Sequence, residues 1–467
     1  MAADTSPHQP ATPNIYAELL PRLGRISVVI HLPTPSTYKT KVLVSNDASR
    51  LIVWHEDATT EMRLPAKVLE PVGEHLRGEI KPGLDEMSWR LTPVPDDVKS
   101  SMSADDAVPW SASQLKPGLR VTCRACDGVV VAEHNIKVFK DLPSENWAEM
   151  MELWHCHKPR VGHPAANNPN GTSANDEVGH EKASETDLAS RGYGANSAIV
   201  AQKGTGFVDM MTMLFHEDDC RCLMGIKEGI RPGLTRLDGM HTVTLAQEQS
   251  RLARLAPSEL SKSFQTLVSA KWTVPYNALV SGSVQSEDIG GFRTLDAFCR
   301  DCHSQLGRFD DRKNGVSLFK WKLNMMEHVG ANGLLTSEYN TSDYRHLPDP
   351  PTLSHCLAAA LVATQARSGS AKVVLQGEKE AVTVWILNPS IRFSCLAKQG
   401  VSAMKLLYRS EAMDEEEINV TDEVVEEIKK ILEEGNAYLP PDEKTRAFGG
   451  QEGTWTVSLL ERWQPSV

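Results

Sequence analysis

The sequence predicts an α+β protein that is mainly β, with an antiparallel β-domain in its first part and an α+β domain in its last. Three observations predict it. Short β-branched segments separated by Pro, Asn or Gly fill residues 16–94. Two CxxC pairs each fall on a turn between strand-forming runs. The last third mixes alternating strands with two helical patterns, one Ala/Leu-rich and one amphipathic.

Residues 1–15, polar and Pro-rich, are expected to be a disordered tail. In the N-terminal β-domain, 16–94, the strands are "RISVVIHL" from Arg25, "KTKVLVS" from Lys39, "RLIVWHE" from Arg50 and "MSWRLTPV" from Met87. The polar stretch 95–110 is expected to be a linker. Residues 111–158 hold a CxxC hairpin, "LRVTCRACDGVVV", and then "LPSENWAEMMELWHCH". Residues 159–196 are rich in Asn, Gly, Ser and acids without hydrophobic periodicity, and are expected to be a disordered insertion.

The C-terminal domain, 197–467, contains the second CxxC in "FCRDCHSQLG" and the strand "VSLFKWKL". A helix begins near Pro351, and a hairpin follows from "AKVVLQ" to "AVTVWIL". The strand "AMKLLYR" comes next, and the acidic run 414–417 is expected to be a solvated approach to a helix. Thr421 caps that helix, whose apolar positions are Val424, Val425, Ile428, Ile431 and Leu432 and whose end is set by Gly435. The last strand runs from Thr454 to Leu460.

The 467 residues are 40% hydrophobic and 24% charged, ordinary for a soluble globular protein of two or three domains. A formal charge of −12 disfavours non-specific binding to nucleic acid or anionic membrane. The N-terminus has neither the charged region nor the apolar core of a signal peptide, and no apolar run is long enough to span a bilayer. Nine cysteines in a chain with no expected export route favour metal binding over disulfides. Cytoplasm and nucleus are the expected compartments.

Cys123/Cys126 and Cys299/Cys302 have the spacing that turns two thiolates toward one tetrahedral ion, so a structural four-cysteine zinc site is expected to join the two halves. His303 is a weaker ligand candidate because it adjoins Cys302. Cys220 and Cys222, one residue apart in "HEDDCRC", read more readily as surface or half-buried thiols than as ligands.

Trp147, Met150, Met151 and Trp154 have helical spacing, which taken alone is more often core than active site. Their context points further. "CRACDGVVV" followed by "LPSENWAEMMELWHCH", with "RLPAKV" upstream and "FCRDCHSQLG", "LQGEKEAVTVWILN" and "AMKLLYR" downstream, resembles the HECT-like ubiquitin-conjugating-enzyme-binding family.

The resemblance implies a ubiquitin-protein ligase whose partners are a ubiquitin-conjugating enzyme and ubiquitin. It also implies a non-catalytic alternative, in which the Trp-x-Cys-His segment plugs the di-zinc centre of the cleavage and polyadenylation endonuclease that processes mRNA 3′ ends. On that alternative Cys156 is the ligand given to the partner's metal, His157 is its neighbour, and Trp147 and Trp154 anchor the segment. A thiolate binds zinc more tightly than water does, so the plug would inhibit. For a ligase that accepts ubiquitin in a HECT-like manner, as the resemblance implies, a nucleophilic cysteine near the C-terminus is required, and Cys356 and Cys395 are the candidates. Cys356 opens an apolar helix and Cys395 lies between apolar residues, so both read more readily as structural.

Overall fold

A computed structural model describes residues 12–69, 82–102, 108–142, 200–225, 294–310, 313–328, 344–413, 415–448 and 453–464. The chain divides into two compact units, one made of residues 1–110 with 347–467 and the other of residues 111–346. Both are built mainly from strands.

The first unit is organised on a nine-stranded sheet to which both ends of the sequence contribute. Its order runs Thr445–Phe448, Gly453–Glu461, Val401–Arg409, Ala381–Cys395, Asn14–Leu20, Arg25–His31 and Glu86–Leu91, with Lys372–Gln376 and Glu416–Asn419 branching from Ala381–Cys395. The seam between the chain's two ends is antiparallel and puts Tyr16 opposite Cys395. Asn14–Leu20 is buried along most of its length rather than on alternate residues, as a strand covered on both faces must be. Pro389 has no amide for the ladder, and the pairing of Ala381–Cys395 with Val401–Arg409 shifts register on both sides of Asn388. Arg462 caps the irregularity by donating to the Pro389 carbonyl at 2.9 Å.

A smaller sheet, Lys41–Val44, Arg50–His55 and Ala58–Arg63, packs its apolar face into the same unit. Val42, Leu51 and Met62 thereby join Ile15, Ile26 and Val28 in one core cluster. A second cluster gathers Phe393, Leu407, Trp455 and Val457.

Helix Leu353–Ser368 starts at Thr352, whose hydroxyl accepts from the His355 amide, and stops at Gly369 in the left-handed conformation. In helix Asp422–Ala437, Thr421 accepts from the Val424 amide at 3.3 Å. That helix runs past Gly435 rather than ending there. A side chain at Gly435 would collide with the Leu459 carbonyl, so the glycine serves close packing of helix on strand.

The unit also buries a charge group. Lys405 Nζ lies 2.8 Å from both Glu18 and Glu443, and Tyr16 donates to Glu18 at 2.7 Å. Burial pushes the Tyr16 phenol well up, reinforced by Glu18. Burial acts to lower the Lys405 ammonium, but the two carboxylates prevail and raise it.

The second unit has a seven-stranded and a four-stranded sheet. The first runs Leu223–Gly225, Thr294–Cys299, Gln305–Asp310, Gly315–Phe319, Thr212–His216, Thr205–Val208 and Val138–Asp141, its last pair parallel. The second runs Tyr344–His346, Leu323–His328, Arg120–Cys123 and Val129–Val131. "VSLFKWKL" is therefore two strands parted by a short 3-10 turn at Lys320–Lys322, not one.

Four expectations need correction. Asn14 and Ile15 belong to the sheet rather than to a disordered tail, because Ile15 is fully buried in it. The stretch 95–110 opens with helix Pro95–Met102, started by a proline in a position where no amide is needed and held by Asp97, which accepts from the Lys67 amide at 2.8 Å. The acidic run leads into strand Glu416–Asn419, paired in parallel with Lys372–Gln376. Finally, the boundary between an N-terminal and a C-terminal domain gives way to a unit built from both ends with the middle of the chain as the other. Long-range strand pairing across the seam is the reason. The expected insertion at 159–196 lies outside the described residues.

Candidate metal centre

Cys123 ends strand Arg120–Cys123, and Cys299 ends strand Thr294–Cys299. Each chain then makes the same turn. After Cys123, the Asp127 amide donates to the Cys123 carbonyl at 2.8 Å, and the Cys123 amide to the Gly128 carbonyl at 2.9 Å. After Cys299, the His303 amide donates to the Cys299 carbonyl at 2.9 Å, and the Cys299 amide to the Ser304 carbonyl at 2.8 Å. Asp127 and His303, each following the second cysteine of its pair, share a left-handed backbone with φ of 56° and 60°. The two knuckles are one local structure written twice.

They meet face to face. Cys123 Sγ lies 3.6 Å from Cys302 Sγ, and Cys126 Sγ lies 3.6 Å from Cys299 Sγ. All four sulfurs fall within 4.8 Å of one another. Zinc–sulfur bonds near 2.3 Å in a tetrahedron set sulfurs about 3.8 Å apart, so this donor set fits zinc. Cys123 and Cys299 are buried, Cys302 is partly covered and Cys126 is exposed.

Electrostatics sharpen the fit. Burial drives the Cys123 thiol well up, against the lowering effect of the Ala125 and Cys126 amides. Burial likewise lifts Cys126, to about 11. At Cys302 burial also acts upward, but the Ser304 hydroxyl, 3.3 Å from the sulfur, and the Ser304 amide outweigh it and bring the thiol to about 7. The raised Cys123 and Cys126 thiols ionise poorly on their own. A dication would stabilise all four thiolates, and its binding would release their protons.

All four cysteines lie in the 111–346 unit. The cluster ties two segments of one unit together, rather than joining two domains as the sequence suggested. His303 occupies the left-handed position of its knuckle and is outside the four-sulfur group. Cys220 is buried in a bridge opposite Val131, its thiol pushed well up by burial and by Asp219. Cys222 is raised by burial and then by Asp301. Neither belongs to the cluster.

Cys356 is completely buried in helix Leu353–Ser368, and Cys395 is 5% exposed at the sheet seam. Neither is in a disulfide. Trp147, Trp154, Cys156 and His157 lie outside the described residues.

A second group of metal-type donors was not expected from sequence. His31, Glu86 and Asp442 present donor atoms within 4.8 Å of one another. No spacing signal reveals them, because they come from three separated segments.

A family model described as HECT-like ubiquitin-conjugating enzyme (E2)-binding matches residues 18–450. The chain is also similar to "Uncharacterized protein YJR141W" of Saccharomyces cerevisiae, at 29% identity over 150 residues. That alignment covers 31% of this chain and 41% of the yeast protein. No solved structure matches.

Proposed function

This chain belongs to the HECT-like ubiquitin-conjugating enzyme (E2)-binding family, and we propose that it is a ubiquitin-protein ligase that holds an E2 charged with ubiquitin. In this reading ubiquitin passes directly from the E2 to the substrate. A substrate lysine amine attacks the thioester carbonyl, an isopeptide bond forms, and the E2 cysteine departs as its thiol. The observation that supports the direct route is the burial of Cys356 and Cys395. A relay through this chain needs a thiol that meets the thioester as an exposed thiolate, and both candidates are packed in core. Cys123, Cys126, Cys299 and Cys302 hold a structural zinc in this proposal, and the metal takes part in no transfer step.

The test is single-turnover discharge of a ubiquitin-charged E2 in the presence of the full chain. The expected result is faster discharge to lysine with no DTT-sensitive ubiquitin adduct on this chain. A DTT-sensitive adduct that disappears in Cys356→Ala or Cys395→Ala would overturn the direct route. Discharge at the rate seen without the chain would overturn the ligase itself.

A second reading draws on "WHCH", three ligand-type residues behind Trp154. Here Cys156 occupies an open zinc position of the cleavage and polyadenylation endonuclease and inhibits it. Pull-down with that nuclease is expected to lose binding in Cys156→Ala. Equal capture of wild type and variant would reject this reading.

A further inference from the structure

The 1–110 and 347–467 unit contains a group of side chains that the ligase reading does not use. His31 ends strand Arg25–His31, and Glu86 begins the neighbouring strand directly opposite it in the ladder. Asp442 sits in the 3-10 turn Pro441–Glu443. That turn is fixed independently, because the next residue, Glu443, is held 2.8 Å from Lys405 Nζ. Backbone pairing and an ion pair therefore bring these three side chains together.

The arrangement is costly as it stands. His31 Nε2 is closed to solvent and has no hydrogen-bond partner; it points toward Asp442, with Oδ2 4.0 Å away. An unpaired buried nitrogen of this kind carries a desolvation penalty. Beside it two carboxyl groups face each other. Their donor atoms lie within 4.8 Å of each other and of the imidazole nitrogen, and both residues are exposed. A cation would relieve both problems, by taking the imidazole lone pair and neutralising the carboxylates.

We propose that His31, Glu86 and Asp442 form a second metal site, for a divalent transition-metal ion of the zinc class. One imidazole and two carboxylates are borderline-to-hard donors, and the two carboxylates balance the charge of a dication. Bonds near 2.1 Å in a tetrahedron need donors about 3.4 Å apart, whereas His31 Nε2 and Asp442 Oδ2 stand 4.0 Å apart, so the Asp442 carboxylate would have to move closer. That side chain is 72% exposed and free to make the adjustment. Three protein ligands leave a fourth position for water or for a donor from a partner. The contrast with the cysteine centre is chemical: four soft thiolates close one site, whereas the other stays open and harder.

The experiment is calorimetric titration of Zn2+ into the full chain already carrying one zinc equivalent. Wild type is expected to bind one further equivalent and to melt at higher temperature with it. Asp442→Asn and His31→Gln are expected to lose that equivalent while keeping the first. The Asp442 variant changes an exposed group, so it tests the site without threatening the fold. Absence of a second equivalent in wild type would overturn the proposal. An undiminished second equivalent in both variants would overturn it too, as binding elsewhere.

Discussion

The two units solve the same problem, closure of a very long stretch of chain, by different means. In the first, Asn14–Leu20 lies along Ala381–Cys395 as a strand buried along most of its length, so closure is spread over a ladder and two apolar clusters. In the second, Arg120–Cys123 pairs with Leu323–His328 and Cys123 meets Cys302 although 179 residues separate them, so a short ladder is joined by a cluster of four sulfurs. Distributed burial fails gradually, since each lost side chain removes only its own share. A point staple fails at once, since one missing ligand abolishes a tetrahedral site.

The largest expected effect follows from that asymmetry. Structural zinc contributes roughly 10–16 kcal/mol of apparent binding energy in small zinc domains. Cys123→Ser, or removal of metal by a strong chelator, should therefore abolish zinc binding and the cooperative unfolding of the 111–346 unit. Hydrogen exchange in Asn14–Leu20 and Ala381–Cys395 should stay slow meanwhile. Equal loss of protection in both units would break the comparison.

Trp455→Ala should come next. Trp455 is fully buried against Trp385, and such truncations cost about 3–5 kcal/mol. Thermal unfolding of the first unit should shift down while zinc content, measured by elemental analysis, remains that of wild type.

The smallest effect sharpens the contrast by pH. In the second unit partial burial acts to raise the Glu133 carboxyl, but hydrogen bonds from Arg120 and Tyr344 hold it at about 2. A depressed carboxyl stabilises above its unfolded value and loses that contribution as pH falls toward 2. In the first unit the raised Tyr16 and Lys405 work the other way. Their contribution is complete below about pH 10 and is lost as pH rises through their folded values. Urea unfolding followed by exchange should show the first unit weakening in alkali and the second in acid. For Glu133→Gln, the deficit against wild type should shrink as pH drops below about 4.5.

Much of the local structure was legible. Arg25–His31, Arg50–His55 and helix Asp422–Ala437 follow from β-branching, turn residues and a capped amphipathic period. Both CxxC hairpins were visible because a knuckle is a local object. What escaped was whatever depends on the far partner. "NIYAELL" has no clean alternation, since both its faces are covered, and it passed partly for tail. The pairing of Tyr16 with Cys395, and with it the division into units, leaves no trace in local pattern. His31, Glu86 and Asp442 were hidden for the same reason: only the fold makes them neighbours.

The seam between Asn14–Leu20 and Ala381–Cys395 also sets an order of events at the ribosome. The first strands emerge early, but their partner is synthesised roughly 360 residues later, about 20–70 s at ordinary elongation rates. Through that interval the edge of Asn14–Leu20 has no native strand to meet, whereas the whole of 111–346 has already been made. The middle of this protein can therefore fold before its beginning, and the newborn N-terminal strands form a long-lived, aggregation-prone edge that a chaperone would have to guard.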